Sequence, residues 1–274
     1  MESKKEKIIF LGTPEISVKI LESLLKESYE IVLVITSPDK PVGRKQVMTP
    51  PPVKTFAEKN NLKVIQPEKQ GADVLEEIRK SGALLGIVVA YGHIIPQSII
   101  DSLPKGFLNI HYSLLPEFRG ASPVEQSILS GQKDTGVTMQ TLVFKLDAGP
   151  IVAVEKFPLD DQITTPELKE KLTEVGAELL TKILPDYLEG KIEPVEQDES
   201  KATHCKKISK ADGEIKMSDT DESKWTKYRA YLGWPGIFYF DESGKRNKIT
   251  EATFENGKFI IKKIIPEGKK EISL

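Results

Sequence analysis

The first 35 residues limit the possible fold more than any other stretch. Residues 7–12 read as a buried strand ending at Gly12-Thr13-Pro14, and Pro14-Glu15 opens a helical stretch with Ile16, Ile20, Leu21, Leu24 and Leu25 on one apolar stripe. Glu30-Ile31-Val32-Leu33-Val34-Ile35 is a second buried strand. Strand, turn, helix and strand in about 30 residues make a βαβ unit, which calls for a parallel sheet with right-handed crossovers. The expected class is α/β, with a Rossmann-like open sheet that is mostly parallel. Because Gly12-Thr13-Pro14 is not GxGxxG, no second glycine lets a pyrophosphate approach the helix backbone, and dinucleotide binding is disfavoured.

Later segments continue the pattern. Pro52 starts a short helix through Phe56-Ala57-Glu58 before Val64-Ile65, residues 84–92 form a central strand with Gly92 at its carboxyl end, and residues 107–111 form the next. Another strand-like segment begins at Thr138. Thr164-Thr165-Pro166-Glu167 is a helix start with a capping threonine and an early proline; Leu168, Leu172, Val175, Leu179 and Ile183 supply its stripe, and Pro185 bends or ends it. The polar stretch from Gly190 to Thr203 reads as a linker. The division is therefore a larger α/β domain over 1–189, a linker over 190–204 and a smaller unit over 205–274. Strand candidates at 237–240, 248–254 and 258–265, with turns at Gly244 and Gly257, give that unit the pattern of a small OB-like β-barrel or meander.

Composition excludes several classes. With 39% hydrophobic and 29% charged residues, the 274-residue chain matches an ordinary globular protein. No run approaches ~18 consecutive apolar residues, and the N-terminus enters its first strand with no cleavable apolar region, so a cytoplasmic protein without membrane contact is expected. Cys205 is the only cysteine, which rules out an intramolecular disulfide, a cysteine zinc cluster and a CxxC redox pair. Residues 201–274 carry 16 Lys+Arg and 11 Asp+Glu, a balance of +5, leaving 23 and 30, or −7, for residues 1–200. A basic end on an acidic body fits a polyanionic partner, and equally a solvated surface.

Chemistry concentrates around residues 109–116. In Leu108-Asn109-Ile110-His111 the alternation puts Asn109 and His111 on one side of an extended chain and the two apolar residues on the other. Asp147 follows in Leu146-Asp147-Ala148-Gly149-Pro150. An amide donor, an imidazole and a carboxylate can polarise a carbonyl and move a proton. Taken singly, His111 is a hydrogen-bonded strand-end residue and Asp147 a turn aspartate. Their combination with Pro116 and Arg119-Gly120 favours a site. Gly92, His111 and Asp147 all fall at carboxyl ends of strands, where open α/β sheets bind ligands.

The chain resembles the methionyl-tRNA formyltransferases over nearly its whole length. The resemblance rests on Phe10-Leu11-Gly12-Thr13-Pro14-Glu15, Pro38-Asp39-Lys40-Pro41-Val42-Gly43-Arg44, Pro52-Val53-Lys54 and Val89-Ala90-Tyr91-Gly92. It continues in Asn109-Ile110-His111 with Ser113-Leu114-Leu115-Pro116, in Arg119-Gly120-Ala121, and late in the chain in residues 208–215 and Trp234-Pro235-Gly236. The Ser-Leu-Leu-Pro run and the Asn/His/Asp set are shared by the folate-dependent formyltransferase superfamily, whereas residues 38–44 and 210–215 point to the tRNA-acting member. The resemblance implies that 10-formyltetrahydrofolate is the donor and the α-amino group of methionyl initiator tRNA the acceptor. It makes Asn109, His111 and Asp147 catalytic, sets Ser113, Leu114, Leu115, Pro116, Tyr91 and Gly92 against the folate, and gives Arg44 and Lys45 to the tRNA. It requires no metal. A monomer is expected.

Three departures from the family pattern stand out. Lys45-Gln46-Val47 replaces a glycine and paired lysines, which weakens the expected tRNA contact. Tyr112 is larger than the usual residue and is expected to narrow the folate approach. The chain ends at Leu274, so the C-terminal barrel is expected to be shortened. Two other readings stay open: a formyltransferase acting on a nucleotide-linked amino sugar, and a non-catalytic RNA-binding protein on the same scaffold.

Overall fold

The computed structural model describes residues 6–43 and 45–274. In chain order the elements are β1 (Lys7–Gly12), α1 (Glu15–Lys26), β2 (Glu30–Ile35), β3 (Lys40–Val42), β4 (Val47–Thr49), α2 (Pro52–Lys59), β5 (Val64–Ile65) and α3 (Ala72–Ser81). There follow β6 (Leu85–Val89), α4 (Gln97–Ile100), β7 (Phe107–His111), β8 (Arg119–Gly120), α5 (Pro123–Ser130), β9 (Asp134–Thr141), β10 (Ile151–Pro158) and α6 (Thr165–Leu188). Last come β11 (His204–Cys205), α7 (Asp221–Tyr231), β12 (Ile237–Phe240), β13 (Arg246–Glu255), β14 (Lys258–Pro266) and β15 (Ile272–Ser273).

The main sheet has seven strands in the order β10-β9-β7-β6-β1-β2-β5. β7, β6, β1, β2 and β5 run parallel, and β9 and β10 are added antiparallel at one edge. The chain steps from β1 to β2 on one side and from β6 to β7 on the other. The crevice between the carboxyl ends of β1 and β6 is therefore the topological switch point. β1 explains how the sheet is covered, since Ile8 and Phe10 enter one core with Ile20, Leu21 and Leu24 of α1 and Leu172 and Leu180 of α6, while Ile9 and Leu11 enter another with Val74 and Ile78 of α3. Burying each such aliphatic side chain contributes about 1.5–3 kcal/mol.

Local chemistry sets the ends of the helices. α3 stops at Gly82, which takes the left-handed conformation at φ 64 without a Cβ clash. At the start of α6 the backbone N–H and the hydroxyl of Thr164 both donate to the Glu167 carboxylate, at 2.9 and 2.6 Å. Those bonds, the side-chain one foremost, hold the Glu167 carboxyl below its ordinary range. Pro185 does not end α6, which runs on to Leu188. The buried neighbours Leu184 and Tyr187 hold that last turn, and the Tyr187 hydroxyl donates to the Lys105 carbonyl at 3.2 Å.

The smaller C-terminal β unit is an antiparallel meander in the order β12-β13-β14-β15, consistent with a small barrel. It is docked through α7: the Thr165 hydroxyl donates to the Ala230 carbonyl at 2.7 Å, and Ile215, Tyr228, Tyr231, Ile237 and Ile249 join the apolar core that α6 closes. The segment expected as a linker is bonded to the first part. Val195 exchanges both backbone hydrogen bonds with Ile151 at 2.7 and 2.8 Å, and β11 pairs in parallel with β8. Among the described residues no helix is long and apolar enough to cross a membrane.

Candidate active site

β7 carries its alternation into space as expected. Leu108 and Ile110 enter the core under α6, whereas Phe107 belongs to the opposite core, and Asn109 and His111 continue that face to the strand's carboxyl end. Tyr112 falls in step with Ile110. It is 6% exposed, packs beside Gly176 of α6, and therefore fills the core instead of narrowing the folate approach. Burial pushes its phenol up to about 12.

Asp147 reaches the same place from the loop between β9 and β10. Its backbone is left-handed at φ 49, which aspartate tolerates better than most residues. Its side chain is 9% exposed and almost encircled by donors. Oδ2 accepts the Gly120 backbone N–H at 2.8 Å, and Oδ1 accepts Gln140 Nε2 at 3.1 Å and Asn109 Nδ2 at 3.5 Å. His111 Nδ1 stands 3.6 Å from that same Oδ1. Residues 109, 111 and 147 are thus brought together around one carboxylate.

The two nitrogens of His111 have different duties. Nε2 lies 2.9 Å from the Phe118 carbonyl oxygen, which can only accept, so Nε2 carries a hydrogen and donates. The Cys205 thiol donates to the same carbonyl at 3.3 Å. Nδ1 is therefore the nitrogen that faces the carboxylate and can exchange a proton there.

Ser113, Leu114, Leu115 and Pro116 follow directly and are clamped from β9. Thr138, the cross-strand partner of His111, donates its hydroxyl to the Ser113 carbonyl at 2.7 Å and accepts the Leu115 N–H at 3.1 Å. Ser113 and Leu115 are buried, and the Ser113 hydroxyl donates to the Glu117 carbonyl at 2.6 Å. Tyr91 and Gly92 sit beyond the end of β6, beside the switch point. Tyr91 is buried with its hydroxyl accepting from Gln70 Nε2 at 2.5 Å, its phenol pushed by burial up to about 12, and Gly92 is exposed at φ 80.

Two phenols raised from about 10 to about 12 have a consequence for alkaline stability. The folded chain holds these protons more tightly than the unfolded one, so the contribution is complete below about pH 10 and disappears as pH rises to about 12. Denaturant unfolding measured in steps across that window should show falling stability, and Tyr112→Phe should flatten the fall. An unchanged slope in Tyr112→Phe would contradict the assignment.

Lys45 lies elsewhere, exposed in the turn of the β3–β4 hairpin. Arg44, expected beside it, lies outside the described residues. The hairpin's base is tied to the sheet, since Asp39 accepts from Lys54 Nζ at 3.0 Å and from Gln66 Nε2 at 2.7 Å. Val42, Val47 and Met48 are exposed along its arms. The hairpin thus follows the carboxyl end of β2, the same end of the parallel strands at which β7 carries the site. No group of three or more His, Cys, Asp or Glu is placed to hold a metal ion among the described residues.

Sequence reading missed Gln140 and Gln197. Gln140 is the register partner of Asn109 across the antiparallel β7–β9 pair, so it shares that face, but a single glutamine in a strand-like run carries no signal until the pairing is known. Gln197 is buried inside a segment whose composition is that of a loop.

A model of the formyl transferase family matches residues 6–184. The methionyl-tRNA formyltransferase of Listeria monocytogenes serotype 4a is 43% identical over 253 residues, 92% of this chain and 80% of that protein. That of Bdellovibrio bacteriovorus is 42% identical over 252 residues, 91% and 79% of the two. Among solved structures, the sugar 3N-formyl transferase WlaRD, determined with dTDP and 5-N-formyl-THF, has a TM-score of 0.70 at 20% identity, covering 98% of this chain and 100% of that one. HypX from Aquifex aeolicus has a TM-score of 0.73 at 17% identity, covering 99% and 48%. The two structural likenesses establish a common fold, and the sequence matches go further: the chain belongs to the formyl transferase family and, within it, to the methionyl-tRNA formyltransferases.

Proposed function

We propose that this chain moves the formyl group of 10-formyltetrahydrofolate onto the α-amino group of methionyl initiator tRNA, for translation initiation. It would act as a monomer in the cytoplasm. The observation that carries the reading is the meeting of an amide, an imidazole and a carboxylate at the carboxyl end of β7, in a chain of this family. Asn109, His111 and Asp147 are the proposed catalytic residues. Ser113, Leu114, Leu115, Pro116, Tyr91 and Gly92 would lie against the folate, and Arg44 and Lys45 against the tRNA.

The amine attacks the formyl carbon, a C–N bond forms, and the carbonyl oxygen becomes an oxyanion. Asn109 Nδ2 carries a second hydrogen beyond the one aimed at Asp147, and that hydrogen can stabilise the oxyanion. As the intermediate collapses, the bond between the carbon and N10 breaks and N10 takes up a proton. The proton lost by the amine has a route through His111 Nδ1 beside the Asp147 carboxylate, so donor and acceptor exchange one formyl group for one hydrogen.

Purified protein should formylate charged initiator tRNA and leave a nucleotide-linked amino sugar unmodified. His111→Ala should lose transfer by roughly 10²–10⁴-fold while tRNA binding is retained. Formylation of the sugar alone would transfer the reading to the other acceptor, and tRNA binding without any transfer by the parent protein would leave only a binder.

A further inference from the structure

A layer of side chains behind Asp147 has no part in the chemistry above. Arg119 is fully buried, and its Nε and Nη2 both donate to Gln197 Oε1, at 3.0 and 2.7 Å. This fixes which way the Gln197 amide points. Its nitrogen then faces three acceptors: the Asp147 carbonyl at 2.9 Å, the Gly149 carbonyl at 2.7 Å and Gln140 Oε1 at 3.2 Å. The first two lie on the turn that holds Asp147 in its left-handed conformation, and the third belongs to the glutamine whose own nitrogen donates to Asp147. The guanidinium is held in turn by Glu199 at 2.9 Å.

We propose that Gln197, oriented by Arg119, is a positioning residue for catalysis. Its amide bridges the carbonyls on either side of Ala148 and sets both the direction of the Asp147 carboxylate and the orientation of Gln140. Although aspartate tolerates the left-handed region better than most residues, its surroundings must still hold it there. Here one amide does so from behind, through atoms that touch no substrate. The inference rests on the formyl-transfer reading, because only the reaction reports where the carboxylate points.

Gln197→Glu separates the two sides of the device. The carboxylate keeps an acceptor for Arg119 but replaces the nitrogen that served the turn with an oxygen facing two carbonyls. We expect kcat for formyl transfer to fall on the order of 10- to 100-fold, with KM for donor and for tRNA within about two-fold of the parent. The bonds lost to the two turn carbonyls should lower the thermal midpoint by a few degrees only, whereas a general loosening of the fold would also raise KM. A folded variant with kcat within about three-fold of the parent, or with its whole loss in KM, would overturn the proposal. If the parent itself transfers no formyl group, the functional reading fails, not the positioning role. A second measurement needs no variant: in the parent protein the Gln197 side-chain amide hydrogens should exchange with water far more slowly than those of the exposed Gln46. Equal exchange rates would defeat the proposal even if Gln197→Glu did not fold.

Discussion

Asp147→Asn should lower kcat for formyl transfer by roughly 10³-fold or more while leaving the protein folded. The substitution changes one oxygen to an NH₂ group and nothing in shape. In the parent, both oxygens accept: one from the Gly120 N–H, the other from Gln140 and Asn109, with His111 Nδ1 alongside. An asparagine has a single acceptor. If its oxygen keeps the short bond from Gly120, its nitrogen points donors at Gln140 Nε2, Asn109 Nδ2 and the imidazole. If the amide flips, the Gly120 N–H loses its partner. Either arrangement removes the negative charge beside Nδ1, so a large effect on rate is expected in a protein that still folds. Single-turnover transfer to charged initiator tRNA, with a circular dichroism melt as control, makes the comparison. A rate within about tenfold of the parent would show that the carboxylate is not part of the proton route.

Gly149→Ala should cost stability as well as rate. A Cβ at residue 149 would stand 1.7 Å from the Thr141 carbonyl oxygen and 2.8 Å from its carbon, both backbone atoms. No rotamer change relieves that contact. The two chains are also bonded to each other, since the Thr141 N–H donates to the Pro150 carbonyl at 2.9 Å, so the added methyl must push the loop away from β9. Overpacking of this kind costs about 3 kcal/mol, and the thermal midpoint should drop by roughly 6–12 °C. The displaced loop carries Asp147, so transfer should fall even below the transition. An alanine variant that melts with the parent would mean that the loop has room the structure does not show.

Much of this organisation is legible in the residue order, because it depends on short-range periodicity. The period-2 alternation of residues 107–111 separates the faces of β7, and the 3.6 period of α1 marks the face that covers β1. What could not be read depends on pairing across the chain. Gln140 joins the site only because β9 runs antiparallel to β7 in the register that sets it opposite Asn109. Gln197 joins because residue 195 pairs with residue 151 and delivers the next turn beneath the loop. Tyr112 misled for the related reason that residues one apart on a strand face opposite layers, so its place beside His111 in sequence is a place away from it in space. Pro185 does not end α6 because its local rule is outweighed by two buried neighbours.

The parallel pairing of β11 with β8 has a consequence for assembly during synthesis. The N–H groups of Arg119 and Ala121, laid down before the chain's midpoint, acquire their partners only when residues 203–205 arrive, because the Thr203 carbonyl accepts the first and the Cys205 carbonyl the second. The proposed catalytic residues Asn109, His111 and Asp147 all precede the late strand and the thiol behind His111, which come from residues 204–205. A chain cut after residue 189 would therefore lack the partners of the Arg119 and Ala121 N–H groups and the thiol that shares the Phe118 carbonyl with His111.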